Sequence, residues 1–319
     1  MKPSCTVARA AGHARPGWRR APALGLTAAL VIGVGCGRLA GKAGGAAASA
    51  SASASAAPST SAATAPSAAA PGTRITVARE RVGAVRVDRI TREIRVPAAP
   101  TPGAPARPAL ELVERIERRI EIRALSEARV GAVAVEYRAA EVTRDGQRAP
   151  DPRNGRRFLV SIREGMLTVS DEKEAAVAES LASLVAADHA FLDTPFPLAP
   201  FLPDGPLTAG SEVEPSHDAV LALVGGTGDF DVKTLKLAFE GTDGTGAAAR
   251  ARFRLTASFR VTLGDRPLEL DLGGQARVEV ATGRVTAVEA VGSATTVARG
   301  PGEAPARGTA RIVLNSTYE

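Results

Sequence analysis

Ala251–Leu263 reads ARFRLTASFRVTL. Ala251, Phe253, Leu255, Ala257, Phe259, Val261 and Leu263 are all apolar, while every residue between them is Arg, Thr or Ser. Successive side chains of a strand point to opposite faces, so strict alternation describes a strand with one face in a core and the other in water. The run is also more than twice the usual strand length of about 5–6 residues. Strands of such length twist and coil, so a sheet built from them curls.

The same pattern continues on both sides. Leu235, Leu237 and Phe239 alternate ahead of the turn-rich GTDGTG of Gly241–Gly246. Leu268, Leu270, Leu272, Ala276, Val278 and Val280 keep one parity across Gly273-Gly274, where a glycine pair permits a sharp bend. Ala281–Arg284 (ATGR) is a hairpin turn into a strand over Val285–Val291, and Arg311–Ser316 offers a closing strand. Consecutive strands joined by short turns predict a meander.

Towards the N-terminus, Phe158, Val160 and Ile162 form a strand face, and Glu164-Gly165 turns it back into Met166–Val169. Arg129–Val142 alternates again. Leu110–Ile122 fits two periods. Leu110, Leu112, Ile116, Ile120 and Ile122 share a strand face, yet Leu112, Ile116 and Ile120 also lie at helical spacing, with Glu111→Arg115 and Glu114→Arg118 as helix pairs. The alternation of the next segment favours the strand. Ile75, Val77, Val85 and Val87 argue strands within Thr73–Pro97. Ala98–Pro108, with four prolines, and Arg144–Gly155, with Asp-Gly and Asn-Gly, read as loops.

A helix is expected over about 172–189, capped by Asp171 with Glu174 completing a capping box. It sets Val177, Leu181, Leu184 and Val185 on one side with Asp188. Ser216–Gly225 reads as a short second helix. A single amphipathic helix among many strands needs a sheet to cover. The fold class is therefore mainly β (α+β), a curved antiparallel meander sheet or half-barrel covered by one amphipathic helix.

Ahead of this body lie two segments of different composition. Lys2, Arg9, Arg15, Arg19 and Arg20 precede the apolar, Gly-rich run Ala21–Cys36 (APALGLTAALVIGVGC), and no acidic residue interrupts them. A basic region, a short apolar stretch and small residues at its end form an export signal over 1–35. The final Gly33-Val34-Gly35-Cys36 resembles the box of a bacterial lipoprotein signal, with Gly33 standing where a larger apolar residue is usual. The resemblance implies acylation of Cys36, whose thiol takes the diacylglyceryl group and whose freed amine takes a further chain. Two or more chains hold a protein stably on a bilayer. An ordinary secretory signal and an uncleaved anchor are the alternatives. Residues 36–72 form the anchor and an Ala/Ser/Pro/Gly linker without large apolar side chains, a composition that cannot offset the entropy of ordering.

The formal charge of +6 belongs to these leading segments. Thr73–Glu319 carries 33 basic and 34 acidic residues, which gives no electrostatic footprint for nucleic acid. Both cysteines, Cys5 and Cys36, precede the body, so neither a disulfide framework nor a thiolate metal site is expected in it. Neither a nucleophile elbow nor a phosphate loop is present. His189 and His217 stand at predicted helix ends, where they read as solvent-facing or capping. Asp229, Asp231 and Asp243 lack calcium-loop spacing. No cofactor or metal is expected. Thr194–Pro206 (TPFPLAPFLPDGP) interleaves five prolines with Phe196, Leu198, Phe201 and Leu202. These four pack the connection onto the body or form an exposed interaction surface for a partner or lipid.

The segments NGRRFLV (Asn154–Val160), LTVSDEKEA (Leu167–Ala175), PFLPDGPLTAGSEVE (Pro200–Glu214) and TGRVTAVEAVGS (Thr282–Ser293), behind an export signal with Cys36 and an Ala/Ser linker, resemble lipoproteins of GC-rich proteobacteria, myxobacteria especially. No activity is established for those proteins. The resemblance implies a cell-envelope address and a β-rich body, and it carries over no site. Gly37 in place of aspartate implies the outer membrane. The expectation is a non-enzymatic, lipid-anchored envelope protein with a binding or scaffolding sheet, whose partners are the membrane and an envelope protein or apolar ligand. The alternatives are a periplasmic carrier of an apolar ligand, like lipoprotein-carrier half-barrels, and an envelope hydrolase using dispersed acidic residues.

Overall fold

The computed structural model describes residues 72–319 except 102–103, 127–128, 190–191, 193–201, 203–204, 215–230, 264–265 and 299–303. Two antiparallel meanders share one sheet. The first runs through β1 (Val85–Val96), β4 (Leu110–Ser126), β5 (Arg129–Arg144), β7 (Arg157–Arg163) and β8 (Met166–Asp171). The second runs through β9 (Glu212–Val213), β10 (Asp231–Asp243), β11 (Arg250–Leu263), β12 (Arg266–Glu279), β13 (Val285–Thr296) and β14 (Arg307–Tyr318). The two halves join where β14 pairs with β1. With β6 (Gln147–Pro150) folded against β5, the sheet has 12 strands, and β8 and β9 are its unjoined ends. It is a curved, open meander with a single α-helix, α1 (Glu179–Ala187), among the described residues.

The sequence pattern places this sheet's inner face directly. In β11, Ala251, Phe253, Ala257, Phe259, Val261 and Leu263 are buried while Arg254, Thr256 and Arg260 are exposed. Burying each large apolar side chain contributes about 1.5–3 kcal/mol. Leu110–Ile122 is a strand, and Arg129–Val142, Phe158–Ile162 and the C-terminal hairpins form as the alternation predicts.

Curvature has a visible cause. A patch of inner positions across β12, β13 and β14 is small: Gly274, Ala290, Gly292, Ala294, Gly308 and Ala310. A Cβ at Gly274 would stand 1.9 Å from the Glu289 carbonyl oxygen, one at Gly292 1.8 Å from that of Asp271, and one at Gly308 1.8 Å from that of Arg95. Neighbouring backbones therefore fold over these glycines, which a side chain would prevent. A Cβ at Gly273, on the outer face, would meet nothing within 4 Å.

Four expectations need correction. The helix begins at Glu179, not near 172, because Asp171 ends β8 and its carboxylate accepts the Lys173 and Ala175 N–H groups in a turn, both at 2.8 Å. That local bond competes with capping a helix. Ile75 and Val77 precede the first strand; Thr76 and Ala78 only donate single bonds to the Val280 and Thr282 carbonyls. Within the expected Ala98–Pro108 loop, β2 (Ala99–Thr101) pairs with β3 (Ala104–Arg107). The Arg144–Gly155 loop contains β6, reached through an Asp145-Gly146 turn with both residues at positive φ. The expected helix at Ser216–Gly225 lies outside the described residues.

Gly274→Ala should lower the unfolding free energy by about 2–3 kcal/mol through overpacking. Gly273→Ala, one residue away, should be neutral or stabilising by about 0.5 kcal/mol. Urea titration of both variants checks the pair.

Candidate functional site

Charged side chains occupy inner positions where β14, β1, β4 and β5 lie side by side. Ser316, Asp88, Arg118 and Tyr137 are direct cross-strand neighbours and form one row. The Ser316 hydroxyl donates to Asp88 Oδ1 at 2.7 Å, and Arg118 Nε donates to Asp88 Oδ2 at 3.1 Å. Asp188, just after α1, closes the row from above. Its Oδ2 accepts from Tyr137 Oη at 2.7 Å and from Arg153 Nη1 at 2.7 Å, and its carbonyl accepts from Arg118 Nη1 at 3.1 Å. Arg153, in the turn after β6, also donates to Asp151 and Glu114, and Arg92 donates to Glu114 at 2.6 Å.

These groups are out of water: Asp88 is 1 % exposed, Arg153 3 % and Tyr137 0 %. Burial alone would push the Asp88 and Asp188 carboxyls up. For Asp88 the Arg86 and Arg118 guanidiniums outweigh it and hold the pKa below the usual range. For Asp188, Arg118 and Arg153 do so and bring it to about 2. Tyr137 is pushed well above its ordinary value by burial and by Asp188.

His189 corrects a further expectation. It is not solvent-facing but 0 % exposed, its ring edge-on to Tyr137 at 6.5 Å and its Nδ1 2.8 Å from the Val185 carbonyl oxygen. Burial and then the Arg118 charge lower its pKa to about 4. It therefore stays neutral where an exposed imidazole would charge. The network ties α1 to the sheet, and every member engages another, so it is a clasp rather than a place for substrate.

Two recesses open at the end of the sheet where β1 starts and β14 stops. One has Ile120, Ile122, Val130 and Val133 as its floor, with Glu80, Arg86 and Tyr318 as polar lining. The second is a shallow hollow over β9–β13 and includes Leu235, Leu237, Phe253, Leu255 and Ala276. Among the described residues its lining is hydrocarbon throughout. Leu255 is the one inner residue of β11 left half-buried, and this recess is the reason. The two spaces adjoin at Tyr318, whose ring lines the first and whose hydroxyl donates at 3.1 Å to the carbonyl of Val285, a residue of the second.

Of the residues nominated from sequence, Leu202 is described: half-buried, it packs on Leu237, Phe253 and their neighbours and forms part of the second recess. Cys36, Phe196, Leu198 and Phe201 lie outside the described residues, as do His217 and Asp229. The body's first described residues reach the same corner. Thr73 and Leu207 exchange two backbone hydrogen bonds of 2.8 Å, and Leu207 belongs to the core beneath the recess. Asp231 and Asp243 end up at opposite ends of β10. Among the described residues no group of three or more His, Cys, Asp or Glu is placed to hold a metal ion, and no helix is long and apolar enough to cross a membrane.

No known protein family, curated protein or solved structure matches the chain.

The clasp makes folding stability depend on pH. An unfolded histidine takes up its proton near pH 6.5, whereas folded His189 does so near 4. The unfolded state binds the proton first, so stability present in full above about pH 6.5 falls as pH drops towards 4, by about 3 kcal/mol. Asp188, lowered from 3.8 to about 2, extends the loss below pH 4. Urea midpoints across pH 3–8 should fall on this profile, and His189→Gln should flatten its upper part. Asp88→Asn, which leaves Arg118 short of its charge partner, should cost about 3–5 kcal/mol at pH 7.

Proposed function

We propose that this protein is exported, held at the outer membrane through acylated Cys36, and binds an apolar ligand on the inner face of its curved sheet without transforming it. The observation that carries the reading is the hollow over β9–β13, whose lining among the described residues is hydrocarbon. A buried water needs about 2–4 polar partners, which the described lining does not offer, so an apolar group suits this surface better than water does.

The anchor reading and the recess support each other through position. The linker from Cys36 meets the body at Thr73, beside Leu207 and Leu202, so an acylated Cys36 would tether the body by the side on which the recess lies. Binding also suits the acids better than catalysis does. Asp88, Asp151 and Asp188 are each engaged with arginines inside the clasp, apart from the second recess.

Two measurements test this. A neutral naphthylamine probe should brighten on the purified protein, and Ala276→Phe, which fills the recess, should weaken that binding at least tenfold without lowering the urea midpoint. A probe that binds the variant equally well would remove the recess as the site. Intact mass of the membrane-extracted protein should show a chain beginning at Cys36 with added lipid, absent in Cys36→Ser. A chain cut elsewhere and without lipid would replace the anchored reading with a secreted one.

A further inference from the structure

One end of the sheet, where β1 starts and β14 stops, collects apolar side chains that the fold leaves in water. Among the described residues four large apolar side chains are exposed: Val77, Val82, Met166 and Val291. Val291 lies mid-strand on the outer face of β13, and the other three share this end. Residues 73–84 cross it from strand to strand. The Thr73 and Thr242 hydroxyls meet at 3.1 Å beside the end of β10. Thr76 and Ala78 donate to the Val280 and Thr282 carbonyls in the turn between β12 and β13, and Gly83 donates to the Ile122 carbonyl of β4. Ile75 packs on the core while Val77 faces water. Val82 occupies a tight turn in which the Ala84 N–H donates to the Arg81 carbonyl at 3.1 Å and Gly83 takes a φ of 84°. It is 61 % exposed at a place where turns ordinarily carry polar residues, glycine or proline. β7 runs towards the end at which β5 begins, so the Glu164-Gly165 turn brings Met166 here too, 66 % exposed. Val82 thus stands beside β4, with Met166 on β8 three strands to one side and Val77 beside β13 three strands to the other.

The same segment carries Arg74, Arg79 and Arg81, all exposed, and none of them forms an ion pair among the described residues. Nearby acids are engaged elsewhere: Glu80 by Arg284 at 3.0 Å, Glu121 by Arg119 at 3.0 Å and Glu279 by Arg250 at 3.1 Å. Glu164 and Glu319 are exposed at this end as well, one beside Met166 and the other beside Val85, so the excess of positive charge is local to 74–81. Guanidiniums pair with phosphate, and apolar side chains next to them can enter the boundary between head groups and acyl chains. Basic segments near a membrane are drawn to anionic lipid. A linker over 37–72 would let any side of the body reach the bilayer, so the chemistry of the body's own surface decides which side does.

We infer that this end of the sheet rests on an anionic lipid bilayer, with Val77, Val82 and Met166 in its apolar boundary and Arg74, Arg79 and Arg81 on lipid phosphates. The inference rests on the anchored reading and adds the body's own contact to the anchor's. The body has no cysteine, so Val82→Cys, Met166→Cys and, at the opposite end, exposed Gln147→Cys each take a single bimane label. The labelled full chain is reconstituted in vesicles of equal parts phosphatidylcholine and phosphatidylglycerol that carry a nitroxide high on the acyl chain. Quenching at positions 82 and 166 is expected to exceed that at 147 at least threefold. At position 82 it should fall at least twofold in phosphatidylcholine alone, and equally when Arg74→Gln, Arg79→Gln and Arg81→Gln are combined. That combination should leave the urea midpoint unchanged. Vesicle-bound protein quenched no more at 82 than at 147 would overturn the inference and leave the anchored reading standing. Disulfide linkage of two unlabelled Val82→Cys chains, with the label at 82 unquenched, would assign this end to a contact between copies instead. A chain that stays in solution when the vesicles are floated would overturn both readings.

Discussion

Asp88 joins the two ends of the body. It lies on the first long strand, accepts a hydrogen bond from Ser316 on the last, 228 residues away in sequence, and accepts another from Arg118 on the strand to its other side. A strand slipped by one residue would turn Asp88 to the outer face and put its neighbours into the core. The paired charges are a weak source of net stability, because taking ions out of water costs about as much as their attraction returns. Their effect is on uniqueness. An apolar inner face tolerates several registers of β1 between β4 and β14, whereas the row Ser316–Asp88–Arg118–Tyr137 closes in one. Registry through buried charge is the role this geometry supports.

The same row divides the inner face by chemistry. On its helix side, α1 and the residue after it close the network, with Leu181 and Val185 packed on β4, β5 and β7. On the other side, β10–β14 present Leu, Phe, Val and small residues and no ionised group to the interior. The glycines that let the sheet fold over itself belong to this apolar half. A half that bends over hydrocarbon and a half pinned by charge are different mechanical elements. The recess lies in the first, where few directed bonds hold its walls.

Most of the sheet was legible because alternation is a local signal. Ala251–Leu263 sets its own inner and outer faces, and its neighbours repeat the parity, so strand type and order of the second meander follow from sequence alone. The clasp was not legible in that way, since its members come from four strands, a turn and a helix end. A clue was nonetheless present. Asp88, Arg92, Glu114 and Arg118 share the parity of Ile90, Ile94, Ile116 and Ile120, so once those segments are strands their charges must face inward. The helical spacing that Glu114 and Arg118 also fit competed with this signal without outweighing it. Asp171 misled for a related reason: an aspartate ahead of a Glu-Lys-Glu run caps a turn as readily as a helix, and here the turn has it. His189 followed the misplaced helix end into solvent on paper and into the core in fact. The meeting of first and last strands had no local signal at all.

Burial of charge at one end of the inner face also sets what the other end can be. An ion-paired row holds its neighbours in fixed rotamers, and Arg86 and Tyr318, one step along the same strands, inherit that order through Asp88 and the β1–β14 register. Within one inner face the charged row therefore gives way, past Tyr318, to the hydrocarbon lining that includes Val285. The boundary between them is a single hydrogen bond, from the Tyr318 hydroxyl to the Val285 carbonyl.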